Sequence, residues 1–199
     1  MVIDYYQSTF FYQSITNIKQ LKTDNNDEIA FIGYSNSGKS SIINTIINKK
    51  KIARTSKSPG NTRTINFFKI QNTKYLVDLP GYGYANIAKN LKIKIDELIL
   101  KYLHNRKSLK AVILIVDIRR CLRCQDYKII NLLTKRNIPI LILLSKSDKL
   151  SKSMQKQTLN YFKKNETSII KKNNVILFSC TLKIGMNYLQ LFLKKYYKF

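Results

Sequence analysis

A chain of 199 residues is long enough for one substantial core and short for two, and its 44% hydrophobic content is ordinary for a globular protein. The longest apolar runs, Ala111 to Val116 and Ile138 to Leu144, fall well short of the ~20 residues a membrane span needs. The first residues, Met1-Val2-Ile3-Asp4-Tyr5-Tyr6, show neither the basic nor the apolar region of a signal peptide, so a cytoplasmic protein is expected. A formal net charge of +25 predicts attraction to polyanions, nucleic acid first. That excess is mostly lysine, 29 Lys against 7 Arg, and it accompanies abundant Ile and Asn, a combination that drift toward A- and T-rich codons also produces. Three cysteines give no disulfide framework, and Cys121-x-x-Cys124 lacks partners at zinc-ligand spacing, so all three are expected as reduced thiols.

The region before Asp27 reads as an edge strand or as a segment crossing the base of a sheet. Ile29 to Ile32 is a strand, and Ser41 to Ile47 a helix. Between them lies Gly33-Tyr34-Ser35-Asn36-Ser37-Gly38-Lys39-Ser40, a full match to G-x-x-x-x-G-K-S in its strand–loop–helix context. Glycines let such a loop curl so that its N–H groups face phosphate oxygens at a helix N-terminus. Lys39 supplies charge for the β- and γ-phosphates, and the Ser40 hydroxyl is a Mg²⁺ ligand.

A polar, basic stretch from Lys49 to Arg63 reads as a long mobile loop. Within Ser58-Pro59-Gly60-Asn61-Thr62-Arg63-Thr64, Thr62 is the expected second Mg²⁺ ligand and Thr64 the runner-up, with Gly60, Asn61 and Arg63 beside them at the nucleotide. Thr64 to Ile70 and Tyr75 to Asp78, separated by Gln71-Asn72-Thr73-Lys74, form a predicted hairpin. It leads into Asp78-Leu79-Pro80-Gly81, a D-x-x-G loop whose carboxylate holds a water of the Mg²⁺ shell and whose Gly81 N–H meets the γ-phosphate. Loss of that phosphate releases such a loop, which makes the nucleotide a conformational signal. Lys39, Thr62 and Gly81 are the expected catalytic groups.

Helices are predicted from Ala88 to His104, Arg123 to Arg136, Lys152 to Lys163 and Gly185 to Tyr196, alternating with strands from Ala111 to Asp117, Ile140 to Leu144 and Val175 to Phe178. Continuous Ile/Leu/Val strands are buried on both faces, so the fold class is α/β: a three-layer, doubly wound, mostly parallel sheet whose ligands bind beyond the carboxyl ends of the strands. Ser145-Lys146-Ser147-Asp148 occupies one such end. One carboxylate, Asp148, can accept from both guanine donors, N1–H and the 2-amino group, whereas adenine has no donor at N1. Lys146 can lie along the base and tie this loop to the phosphate loop. Phe178-Ser179-Cys180 is placed to close over guanine with backbone N–H groups. GTP or GDP with Mg²⁺ is therefore the expected ligand.

Taken together, G-x-S-N-x-G-K-S-S, S-P-G-x-T followed by I-N-F-F, D-L-P-G-Y-G-Y-A, S-K-x-D-K-L and F-S-x-x-x-x-I-G resemble the EngB (YihA/YsxC) family of bacterial GTP-binding proteins, translation-factor-class P-loop GTPases. The likeness runs from about Glu28 to the C-terminus, with D-L-P-G-Y-G-Y-A its most specific part. It implies a G domain over 27–199 with residues 1–26 an extension packed on it. It also implies a role in assembling the large ribosomal subunit, with that subunit or its rRNA as partner, and a requirement for normal cell division and septation. A monomer is the default. Tyr34 stands where the family more often has Arg, expected to alter partner contacts at the loop surface, and Ser145 where it has Thr. Tyr82 stands where many GTPases place a water-positioning Gln, implying slow hydrolysis; Asn36 stands where related GTPases bind K⁺, implying K⁺ as an activating ion. Two other functions fit the residues: a basic RNA-associated module locked by its nucleotide, and an ATP-dependent P-loop kinase.

Overall fold

A computed structural model describes residues 6–21, 25–49, 52–53, 63–83, 88–165 and 174–198. Seven strands form one sheet: β1 (Phe10–Ile15), β2 (Asp27–Gly33), β3 (Ile65–Gln71), β4 (Lys74–Asp78), β5 (Leu109–Asp117), β6 (Ile140–Ser145) and β7 (Asn174–Leu177). Their order across the sheet is β1-β3-β4-β2-β5-β6-β7. From β4 to β7 every neighbouring pair is parallel; β3 pairs antiparallel with both β4 and β1. The region before Asp27 thus supplies an edge strand, and the mostly parallel α/β sheet is the one expected.

Five α-helices are described: α1 (Lys39–Ile47), α2 (Lys89–Asn105), α3 (Cys124–Lys135), α4 (Lys152–Asn165) and α5 (Met186–Tyr197). The period-2 alternation of each strand explains which helices cover which face. In β5, Ala111, Ile113 and Ile115 join Ile42, Ile43, Ile46, Leu189 and Leu193 in one core, under α1 and α5. Val112, Leu114 and Val116 turn the other way, onto Ile95, Ile99, Tyr102, Ile129 and Leu133 of α2 and α3. A strand covered on both sides has no polar face to show, which is why Leu109 to Asp117 contains a single exposed residue, Lys110.

The elements depart from expectation mainly at their ends. The hairpin turn closes to Asn72-Thr73, because Gln71 and Lys74 pair with one another across it. Helix α1 begins at Lys39, two residues before the expected start at Ser41, because Gly38 takes a left-handed φ of 98° as the N-cap and turns the chain into the helix at once. At the opposite end of the sheet, Glu28 is buried and holds Arg106 through both carboxylate oxygens while accepting the Tyr102 hydroxyl at 2.7 Å. This network pins the C-terminal end of α2 to the start of β2. Breaking one partner of such a buried pair is costly, because it leaves a desolvated charge uncompensated.

Candidate GTP-binding site

The carboxyl ends of the parallel strands carry the site, one motif per strand. Gly33 ends β2, Asp78 ends β4, Ser145 ends β6, and Phe178 follows β7. Between Gly33 and α1 the loop is shaped by the Ser37 N–H donating to the Tyr34 carbonyl at 3.0 Å and by Asn36 in a left-handed conformation, φ 63°. Asn tolerates that region better than most residues. Lys39 then opens α1, buried, with its ammonium paired to the buried carboxylate of Asp78. A buried cation and anion facing each other at a helix N-terminus are where a triphosphate and its metal would exchange partners with them. Ser40 follows on the first turn, half-buried.

Ser145 donates its hydroxyl to the Ser37 carbonyl at 2.7 Å, with the Val116 carbonyl 3.1 Å away. Lys146, itself left-handed at φ 57°, reaches the Asn36 carbonyl at 2.7 Å. Two side chains of the S-K-S-D segment therefore hold the phosphate loop, as the tie through Lys146 leads one to expect. Asp148 accepts the Ser179 hydroxyl at 2.7 Å, and that hydrogen bond holds its carboxyl below the usual range. The Ser147 N–H donates to the Phe178 carbonyl (3.1 Å) and the Phe178 N–H to that of Leu144 (2.9 Å), so the two loops meant for guanine form one wall. Cys180 sits half-buried beside them, its thiol pushed up by burial. The hydroxyls of Ser37 and Ser147 are buried without a hydrogen-bond partner among the described residues. Such orphans inside this loop set fit a site shaped for a polar ligand.

In the D-x-x-G loop, Leu79, Pro80 and Gly81 are buried, and the Leu79 N–H donates to the Phe31 carbonyl at 3.1 Å. Tyr82 zips this loop to the phosphate loop: its N–H donates to the Gly33 carbonyl (3.3 Å) and its carbonyl accepts the Ser35 N–H (2.9 Å). The Tyr82 ring turns inward, 2% exposed, and its hydroxyl bonds the Asp126 carboxylate of α3. Burial, then the Asp126 charge, pushes that phenol well above its ordinary pKa. Tyr34 packs edge-on against Tyr82 with ring centroids 5.5 Å apart and lies under the Arg123 guanidinium, 4.1 Å from the ring. Gly83, at φ 73°, leaves room for the same ring, which a β-carbon there would overlap. Tyr34 is therefore a packing link between both nucleotide loops and α3.

Gly60, Asn61 and Thr62 lie outside the described residues. Arg63 is exposed, and the Thr64 hydroxyl is engaged by Asn66 at 2.9 Å. Three residues gained no role from sequence. Asp117, at the end of β5, is buried between Arg119 (2.7 Å) and Lys146 (3.1 Å). Burial raises its pKa, but those donors outweigh it and hold the carboxyl well below its usual range. Its signal was available: a lone acid closing an apolar strand, beside β6. Asp126 and Arg123 join through the Arg123 N–H, which donates to the Asp126 carboxylate at 2.7 Å and caps α3. An acid three residues after a helix start was the readable sign there.

Comparison with known proteins agrees with this geometry. The family described as 50S ribosome-binding GTPase matches residues 28–146. A probable GTP-binding protein EngB from Buchnera aphidicola subsp. Baizongia pistaciae (strain Bp) is 44% identical over 96% of this chain and 84% of its own length. The protein of the same description from Buchnera aphidicola subsp. Schizaphis graminum (strain Sg) is 43% identical over 100% of this chain and 98% of its own. Among solved structures, that of a probable GTP-binding protein engB superposes with a TM-score of 0.65 at 25% identity, over 82% of this chain and 94% of the other. A phosphate loop tied to the S-K-S-D segment, in a chain this close to those relatives, makes the protein a GTPase that belongs to the EngB family of GTP-binding proteins.

Proposed function

We propose that this GTPase is a slow switch in large ribosomal subunit assembly, acting in the cytoplasm and needed for normal cell division and septation. The single observation behind the switch is the buried Lys39–Asp78 pair, which a bound triphosphate would part. Behind the ribosomal half stand the +25 charge and the family's description. Among the described residues no helix is long and apolar enough to cross a membrane. Residues 27–199 act as the G domain and 1–26 as its extension.

In this reading Gly33 to Ser40 cradle the phosphates, Asp78 to Gly81 close on them, and Gly60 to Thr64 contribute to nucleotide binding. Asp148 takes the guanine edge, while Ser145, Lys146, Ser147 and Phe178 to Cys180 frame it. Mg²⁺ suits the oxygens present: Ser40 would hold it directly, Asp78 through water, and Thr62 from the basic loop. When bound it neutralises charge on the β- and γ-phosphate oxygens. Lys39 adds charge on the same oxygens, and the Gly81 N–H orients the γ-phosphate.

The buried Tyr82 hydroxyl, bonded to Asp126, cannot position a water as a Gln would. Single-turnover hydrolysis is therefore expected at or below roughly 10⁻³ s⁻¹, the range of unassisted small GTPases. K⁺ should accelerate it over Na⁺ through Asn36. Asn36→Gly removes that side chain without strain at φ 63° and should erase the difference; a K⁺ effect that survives it assigns the ion elsewhere.

The ribosomal role is tested by co-sedimentation with large subunits in a non-hydrolysable GTP analogue and in GDP. The analogue form should bind about 5- to 150-fold more tightly, the size of ordinary coupling between sites, and should lose affinity steeply with salt. Equal pelleting in both nucleotides would leave a GTPase whose charge serves no switch.

A further inference from the structure

We propose that the outer edge of the sheet, strand β1 with the cleft beside it, is a stacking platform for single-stranded RNA. The choice of RNA as occupant rests on the ribosomal reading above. Phe10, Phe11 and Tyr12 are consecutive and 51%, 49% and 50% exposed. Exposed apolar residues are ordinary when scattered singly, but three rings on one terminal strand, Phe11 toward one face of the sheet and Tyr12 toward the other, make an aromatic rim. Two of them are braced from below. Phe11 stands edge-on to Phe68 with centroids 6.0 Å apart, and Tyr12 edge-on to Tyr75 at 5.4 Å. Phe68 belongs to the core under α1 and α5, and Tyr75 to the core under α2 and α3, so the edge presents fixed rings toward both faces of the sheet.

Charge decides the partner. No acidic residue occurs in β1. The Lys69 ammonium lies 5.8 Å from the centre of the Tyr12 ring, and exposed Lys49 reaches the Thr9 carbonyl at 2.9 Å, just before the strand. Rings for bases with cations for the backbone are how proteins hold single strands without reading sequence. Addition of a peptide strand fits less well, because a register shift between Phe11 and Gln13 interrupts the ladder. Beside Tyr12 opens a cleft walled by Tyr12, Phe67 and Tyr75, with Gln13 and Gln20 at its sides and Arg106 within it. Aromatic faces and amide edges together suit an unstacked base. The cleft also contains Glu28, at the start of β2, so it lies at the end of the sheet opposite the GTP site and both ligands fit at once.

The test uses the full chain and a labelled oligouridylate of about 16 nucleotides, read by fluorescence anisotropy. Phe10→Ala and Tyr12→Ala should each weaken binding roughly 5- to 100-fold, while Tyr12→Phe, which keeps the ring, should bind nearly as wild type. Lys69→Gln should reduce the salt slope by about one. Unchanged binding of labelled GTP, at the far end of the sheet, certifies that each variant is folded. Undiminished oligonucleotide affinity in a folded Phe10→Ala/Tyr12→Ala variant overturns the platform. So does loss of self-association or of a protein partner with RNA affinity intact. If the rings govern oligonucleotide binding but wild type does not pellet with large subunits, the platform stands and the ribosomal reading falls. If wild type and the double variant pellet equally, the ribosomal reading stands and the platform falls.

Discussion

Asp148→Asn is expected to lower GTP affinity by 10³ or more and to create affinity for xanthosine triphosphate. The Asp148 carboxylate accepts one hydrogen bond from Ser179 at 2.7 Å, with Lys149 3.5 Å away, which leaves acceptor capacity for the two guanine donors. An amide there offers one acceptor and sets an N–H against the guanine 2-amino group. A site that leaves polar groups unmatched rejects the wrong partner by several kcal/mol, and about 4 kcal/mol corresponds to 10³. Xanthine carries a carbonyl at C2, which accepts from the new amide. Titration with both labelled nucleotides checks it: unchanged GTP affinity would remove Asp148 from the base site.

Lys39→Ala should abolish tight triphosphate binding and destabilise the empty protein. The substitution removes the charge meant for the β- and γ-phosphates and strands Asp78, 2% exposed, without its partner. Breaking a buried pair from one side typically costs about 3–5 kcal/mol, far more than the net worth of the intact pair. The double variant Lys39→Ala/Asp78→Asn should then recover much of the loss in urea midpoint while still failing to bind nucleotide. A single variant as stable as wild type would show that solvent or another group compensates Asp78.

What the sequence made legible was whatever is written locally. The strands of the sheet's interior announce themselves because burial on both faces demands continuous apolar runs, and the phosphate and guanine loops because their chemistry needs fixed spacings. Contacts between distant elements carry no such signature. Nothing about Tyr34, Tyr82, Arg123 and Asp126 singly says that they meet, and Glu28 and Arg106 are 78 residues apart. Only the folded chain shows the phosphate loop, the D-x-x-G loop and α3 joined through two tyrosine rings. Through that joint a movement of the D-x-x-G loop would be felt at α3. Thr62 and most of the basic loop from Lys49 to Arg63 lie outside the described residues.

The central claim, that the nucleotide in this site sets affinity for the large ribosomal subunit, is tested most directly by changing which nucleotide the site accepts. Asp148→Asn protein should pellet with large subunits when given a non-hydrolysable xanthosine triphosphate analogue, and only weakly when given the matching guanosine analogue or either diphosphate. Pelleting of this variant to the same extent with all four nucleotides would contradict the account.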